Sequence, residues 1–296
     1  MSKASKVLVL GGKGGLLGAC LAGVLEKAGC EVAATGRPGR EVFETGALQE
    51  LLDRTAPDTV FNTWAYTQVD KAEDEPAEAR RINEALPALL GRLVLGRHVK
   101  LVHFSTDFVF DGRKDNPYTP EDPAHPASVY GETKLAGERA LLSLNLPNLL
   151  IVRTAWLFGP GKKNFVRTIL DLAREREEIR VVHDQVGSPT YTCDLAAWAA
   201  ALAGKDAAGI FHVVNSGRAS WAELAAEAIR LADLPCRVTP IPSSEYPQKA
   251  RRPAYSVLDT GAFTRATGIT PRPWAQALAD YVYREAGPDQ SPDNAD

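Results

Sequence analysis

The sequence is short of cationic stripes, of long apolar runs and of clustered cysteine. Its 34 lysines and arginines and 37 aspartates and glutamates are scattered, and they leave a formal net charge of −3. Without a basic face there is nothing to neutralise a nucleic-acid backbone, and no cationic amphipathic segment advertises a membrane surface. The first apolar run, Val7 to Leu10, is far shorter than a signal-peptide core or the ~20 residues that span a bilayer, so no targeting segment is expected. The cysteines, Cys20, Cys30, Cys193 and Cys236, show no CxxC pattern. That spacing argues against a zinc site and against a disulfide framework, and it fits a reducing cytoplasm. His98, His103, His125, His183 and His212 have no ligand spacing either. Small molecules remain as the expected partners.

What is present is an ordinary globular composition, 45% hydrophobic and 24% charged over 296 residues, enough for a nucleotide-binding unit and a smaller companion. Short β-branched runs alternate with helical patterns through the first half. Strands are read at Val7–Leu10, Glu31–Thr35, Thr59–Asn62, Lys100–Ser105 and Asn148–Arg153, and helices at Leu16–Ala28, Leu48–Arg54, Pro76–Gly96 and Val129–Ser143. Such alternation predicts a doubly wound parallel sheet of Rossmann type, an α/β fold, over residues 1–153. Residues 154–286 read as a smaller α/β unit mainly for substrate, with room for some of this chain to cross back to the first. Its helices are placed at Asn164–Arg176, Asp194–Ala203 and Trp221–Leu231, with strands at Ile179–Val182 and Ile210–Val214. The Pro-rich stretches Asp115–Ala127 and Pro235–Pro253 read as loops, either ordered over a cleft or plain surface connections. The polar tail 287–296 is expected to fray.

Three local patterns carry chemistry. Gly12-Lys13-Gly14-Gly15-Leu16-Leu17-Gly18 follows the first strand and opens a helix, where a dinucleotide pyrophosphate would rest on a helix N-terminus. At the end of the second strand the chain reads Ala33-Ala34-Thr35-Gly36-Arg37, with no acid before Glu41. A guanidinium there suits the 2′-phosphate of NADPH better than the bare ribose of NADH, although NADH stays open and Arg37 could be a solvated loop cation. Tyr130-Gly131-Glu132-Thr133-Lys134 puts a phenol and an ammonium on one helical face. An ammonium under the phenol would lower its proton affinity toward neutrality, unless the pair is merely surface. His103 to Phe110 closes the fourth strand, where open α/β sheets gather active-site groups. Thr106 in it could polarise a carbonyl, or the Ser-Thr-Asp run could be a simple turn.

In this order the three patterns resemble the extended short-chain dehydrogenase/reductase superfamily. Longer segments sharpen the likeness: NTWAYTQVDKAEDEP (62–76), FSTDFVFDG (104–112), VYGETKLAGE (129–138), VRTAW (152–156), DQVGSPT (184–190) and ARRP (250–253). These are similar to the dTDP-4-dehydrorhamnose reductase family over nearly the whole chain. The resemblance implies NADPH-dependent reduction of the C4 keto group of a nucleotide deoxysugar. A substrate that differs in its sugar, or a non-catalytic nucleotide-binding subunit, are the alternatives. It implies Tyr130 as proton donor, Lys134 as the group that tunes it and holds the nicotinamide ribose, and Thr106 as the carbonyl-polarising hydroxyl. It puts Gly15, Leu16 and Leu17 on the pyrophosphate, Trp64, Ala65 and Tyr66 beside the cofactor, and Asp107 and Trp156 on the sugar. Thr63-Trp64 departs from the small residues usual in that family. Some members carry a carboxylate after the Gly turn that takes part in a Mg²⁺-linked dimer. Ala19-Cys20 stands there in this chain, so no metal site is expected, while a homodimer stays open.

Overall fold

The computed structural model describes residues 4–285 except 40 and 45, and the tail read at 287–296 lies outside the described residues. In chain order the first half holds β1 (Lys6–Leu10), α1 (Leu16–Lys27), β2 (Glu31–Ala34), α2 (Glu41–Glu44), α3 (Ala47–Thr55) and β3 (Thr59–Asn62). Helices α4 (Val69–Ala72), α5 (Pro76–Arg80) and α6 (Leu86–Val94) follow, with a π-helical turn at Arg81–Ala85 between the last two. Next come β4 (Lys100–Thr106), α7 (Val129–Leu142) and β5 (Leu149–Thr154). The second half runs β6 (Leu157–Phe158), α8 (Phe165–Glu175), β7 (Glu178–Val182), β8 (Val186–Gly187), β9 (Thr190–Tyr191), α9 (Thr192–Ala203) and β10 (Gly209–His212). It ends with β11 (Ala219–Ser220), α10 (Trp221–Leu231), β12 (Arg237–Ile241), α11 (Gly261–Thr267) and α12 (Trp274–Glu285).

Six strands make one parallel sheet in the order β10-β5-β4-β3-β1-β2, the Rossmann-type architecture expected from the alternation. Side chains alternate across it. Val7 and Val9 join a core with α1 on one face, whereas Leu8 and Leu10 join Leu48, Leu52, Leu86 and Leu90 on the other. With both faces covered, β1 is apolar from Val7 to Leu10, all four buried, and it reads as an unbroken apolar run there for that reason. The chain reverses its direction of winding between β1 and β3, so a crevice opens beyond their carboxyl ends.

The strand expected at Ile210–Val214 and read with the second unit is β10, which pairs in parallel with β5 at the edge of the main sheet. Helix α9 returns with it, and Leu195, Ala199 and Leu202 share a buried cluster with Leu17 and Leu21 of α1. The rest of the second half builds its own cores. Val166 and Leu170 of α8 meet Leu224 of α10 and Leu278 of α12, and Ile169 meets Ile179 and Ala225. Part of the stretch read as a loop from 235 to 253 is β12, parallel to β7. Pro240 obscures this strand in the sequence. It is tolerated because the sheet has only two strands and a proline needs no ladder donor on an open edge.

Helix α7 is fastened to β5 by a buried bidentate pair, Arg153 Nε to Glu138 Oε1 at 2.9 Å and Nη2 to Oε2 at 2.6 Å. Both side chains are under 5% exposed, at 4% and 1%. Removing either partner would leave a buried charge at a cost of about 3 to 5 kcal/mol, so this pair fixes the helix that presents Tyr130 and Lys134. Among the described residues no helix is long and apolar enough to cross a membrane.

Candidate active site

The turn from β1 into α1 is a backbone cradle. Helix α1 starts at Gly15 without a side-chain cap, and its first backbone bond is Ala19 N–H to Gly15 O at 3.0 Å. The N–H groups of Leu16, Leu17 and Gly18 therefore have no acceptor inside the helix and carry its positive end. A Cβ on Gly18 would lie 2.2 Å from Gly11 O and 2.9 Å from Thr63 Oγ1, so only glycine lets the helix sit this close to the turn. Gly12 packs inward, against Ala34 and Val9. Uncapped N–H groups over a turn that excludes Cβ atoms fit a pyrophosphate, and the residues present suit a dinucleotide. Arg37 is exposed just past β2 and has no ion-pair partner among the described residues.

Trp64 is buried under the turn, and its Nε1 donates to Gly36 O at 2.6 Å. It thus ties the end of β3 to the loop that carries Arg37, which explains how an indole stands where smaller residues are usual. Ala65 and Tyr66 are half-buried beside it. The Tyr66 backbone is clamped by Asn83, with Tyr66 N to Oδ1 at 2.8 Å and Nδ2 to Tyr66 O at 3.1 Å. Asn83 lies in the π-helical turn, and its Nδ2 also reaches Thr133 Oγ1 on α7 at 3.1 Å. A π turn inserted in a helix often marks a functional position. Sequence reading gave a plain helix from 76 to 96 and missed Asn83, because nothing local distinguishes one polar residue in a helix.

Thr106, Tyr130 and Lys134 converge at the carboxyl end of β4. Thr106 Oγ1 donates to Asp107 Oδ1 at 3.0 Å and accepts from Phe108 N at 3.2 Å. It therefore caps the short 3-10 turn Asp107–Val109 while it faces the Tyr130 phenol. Burial pushes the Tyr130 phenol up to about 12, the Thr106 hydroxyl opposes this, and the Asp107 carboxylate adds to it. Phe108 packs edge-on against the Tyr130 ring, with centroids 5.4 Å apart.

The expected lowering of the phenol by Lys134 is not found. Lys134 shares the helical face, but its Nζ donates to Phe104 O at 2.6 Å and faces His103 Nε2 at 3.5 Å. A buried ammonium needs acceptors, and the β4 backbone offers a nearer one than the phenol does. Burial lowers Lys134 to about 8, with Glu138 opposing. His103 continues inward to Asn62, Nδ1 to Nδ2 at 3.0 Å, and burial drives its own proton affinity well below the usual histidine range.

Asp107 is buried, and burial raises its carboxyl to about 6. The Ser256 and Thr106 hydroxyls oppose that shift, yet no donor stands at hydrogen-bonding geometry to Oδ2. Trp156 has φ +47, in the left-handed region, and its indole stacks on Trp221 with centroids 3.5 Å apart and planes 1° from parallel. Gly187 of the DQVGSPT segment passes so close that a Cβ there would lie 2.4 Å from the indole. A cavity of about 680 Å³ lies next to this stack, lined by His183, Val186, Arg218, Ser220, Glu223 and Tyr255. Tyr255 of this lining precedes Ser256, whose hydroxyl faces Asp107, while Thr106, Asp107 and Tyr130 are not themselves among the lining residues.

Arg251 is exposed, whereas Arg252 is committed to an ion pair. It grips Asp70 with both nitrogens, at 3.0 and 2.7 Å, and so ties the stretch before Pro253 to α4. The guanidinium, with help from the Ala250 amide, holds the Asp70 carboxyl down at about 2.

The chain matches the family model described as RmlD substrate binding domain over residues 5–286. It is 41% identical over 277 residues to a dTDP-4-dehydrorhamnose reductase of Streptomyces griseus, covering 91% of this chain and 90% of the relative. It is 40% identical to the spore coat polysaccharide biosynthesis protein SpsK of Bacillus subtilis, covering 94% and 97% of the two chains. Among solved structures, the dTDP-4-dehydrorhamnose reductase of Bacillus anthracis in complex with NADP superposes with a TM-score of 0.90 at 32% identity, over 95% of this chain and 99% of that one. The sheet, the Gly turn and the Thr-Tyr-Lys convergence therefore stand in a chain that belongs to the RmlD substrate binding domain family.

Proposed function

We propose that this protein is an NADPH-dependent oxidoreductase that reduces the C4 keto group of dTDP-4-dehydrorhamnose to give dTDP-rhamnose, a precursor for surface polysaccharide. The observation that carries this reading is the meeting of Thr106, Tyr130 and Asp107 at the carboxyl end of β4. The likeness to the Streptomyces griseus reductase supports the substrate, and the NADP held by the Bacillus anthracis relative supports the cofactor. The same reading places the protein in the cytoplasm and allows a homodimer.

Residues divide the work by position. The N–H groups of Leu16, Leu17 and Gly18 take the pyrophosphate, and Arg37 takes the 2′-phosphate. Trp64, Ala65 and Tyr66 wall the cofactor, and Lys134 holds the nicotinamide ribose. When bound, NADPH supplies the hydride. Thr106 donates its hydroxyl to the substrate carbonyl and so stabilises the charge that develops on oxygen. Tyr130 gives its proton to that oxygen. A phenol held neutral by burial is always loaded for this step. Asp107 Oδ2 accepts a sugar hydroxyl, Trp156 packs against the deoxyhexose, and Arg218 and His183 face the nucleotide end in the cavity.

The test is purified protein with dTDP-4-dehydrorhamnose and NADPH, followed at the nicotinamide absorbance. Tyr130→Phe should lower turnover by about 10²- to 10⁴-fold with NADPH affinity unchanged. A variant that keeps more than a tenth of the rate would remove Tyr130 from the chemistry. The fold hosts many substrates, so a panel of other 4-keto nucleotide sugars decides whether a different sugar is preferred.

A further inference from the structure

Two cysteines 173 residues apart in the chain meet where α1 packs on α9. Cys20 Sγ lies 3.4 Å from Cys193 Sγ and 3.3 Å from Thr192 Oγ1. Cys20 is on the second turn of α1 and Cys193 on the first turn of α9, and both are half-buried. The approach follows from side-chain size. Ala196 and Ala199 of α9 enter the cluster shared with Leu17 and Leu21 of α1, and small side chains let two helices close to the short end of their packing range. By contrast Cys236 is buried among Ile179 and Ile229, Cys30 sits at the margin of the main core, and neither contacts another sulfur among the described residues.

We propose that Cys20 and Cys193 form a dithiol site that closes to an intramolecular disulfide on two-electron oxidation by a peroxide and that chelates trivalent arsenic when reduced. A disulfide needs its sulfurs about 2.05 Å apart, so the pair must close by roughly 1.4 Å, chiefly by rotation of the two side chains. One thiol, as thiolate, attacks a peroxide oxygen, the O–O bond breaks, and a sulfenic acid and one water result. The second sulfur attacks the sulfenic sulfur, the S–S bond forms, the S–O bond breaks and a second water leaves. Both thiols are oxidised, both peroxide oxygens are reduced, and the two thiol protons end in water. A dithiol reductant reverses the bond by exchange.

The bridge joins two parts of the site. Helix α1 carries the uncapped N–H groups of the Gly turn, and α9 follows β9, which pairs with β6 directly beyond Trp156. The loop it closes is long, so the oxidised protein gains thermal stability by restriction of the unfolded chain.

The experiment treats the full-length native protein with hydrogen peroxide after removal of reductant, then maps peptides without reduction. Trypsin cuts after Lys27, so Cys20 and Cys30 fall in different peptides. We expect one cross-linked pair joining Cys20 to Cys193, a fall from four titratable thiols to two in denaturant, a mass lower by two hydrogens, a raised melting temperature, and recovery with dithiothreitol. Phenylarsine oxide should protect both thiols of the reduced protein from alkylation, and Cys20→Ser and Cys193→Ser should each abolish that protection. If one variant does not fold, the other and the wild-type map still decide. Sulfinic or sulfonic acid on one cysteine without a cross-link, cross-links through Cys30 or Cys236, or four thiols surviving peroxide would each overturn the proposal.

Discussion

His103 Nε2 stands 3.5 Å from Lys134 Nζ, and the partners around them decide which atom carries the ring proton. The backbone N–H of Trp64 donates to Asn62 Oδ1 at 3.2 Å, so the amide nitrogen of Asn62 points at His103 Nδ1. Nδ1 is then an acceptor, the neutral ring holds its proton on Nε2, and that N–H faces the Lys134 nitrogen. A donor facing an ammonium favours the neutral amine, which acts in the same direction as burial on Lys134.

His103→Gln can present an amide oxygen to the ammonium instead. A hydrogen bond to a charged group is worth about 1.5 to 3 kcal/mol, so we expect the alkaline limb of kcat, near the Lys134 value of about 8, to move up by about one pH unit or more. A limb unchanged in position, with only kcat lowered, would show that His103 is merely structural.

Asp107 gives a pH-dependent stability with a definite sign. Its carboxyl is raised from 3.8 to about 6 in the folded protein, chiefly by burial. The folded state therefore binds the proton more tightly, and the stability this brings is full below about 3.8 and is lost as pH rises through about 6. Above that, the ionised carboxylate costs the fold on the order of 3 kcal/mol. Asp107→Asn should match the wild type in melting temperature near pH 4, exceed it near pH 7.5, and bind the sugar less well. A melting difference that does not vary with pH would contradict this account.

Arg37 is exposed beyond β2 with no ion-pair partner among the described residues, so its contribution can be isolated. Arg37→Ala should narrow the preference for NADPH over NADH by about 1 to 3 kcal/mol, through loss of NADPH affinity alone. Equal kcat/KM for the two cofactors in the wild type would end the assignment.

Trp156 is held by Trp221 on one face and passed closely by Gly187, so its truncation must affect both packing and positioning. We expect Trp156→Ala to lower kcat/KM about tenfold or more, and also to lower the melting temperature, since an aromatic pair contributes about 0.5 to 1.5 kcal/mol beyond the area it buries. Normal kinetics in a variant that only melts earlier would make Trp156 a packing residue.

The sequence by itself determined what depends on neighbours a few residues away. The Gly12–Gly18 turn, the apolar run of β1 and the one-turn spacing of Tyr130 and Lys134 are local patterns, and backbone geometry converts them into a cradle, a strand and a shared helix face without reference to the rest of the chain. From those the parallel sheet and the glycine turn at the end of its first strand were legible, while the meeting of Thr106 with Tyr130 was implied by the family resemblance. The tertiary structure decided everything that closes a long loop. It drew β10 and α9 back onto the first sheet, set Asn83 against Tyr66, seated Arg153 on Glu138, brought Cys20 to Cys193, and turned the Lys134 ammonium toward Phe104 O rather than the phenol. Each of these outcomes depends on which buried polar or small group happens to face which across a packed interface, and no period or spacing along the chain encodes that.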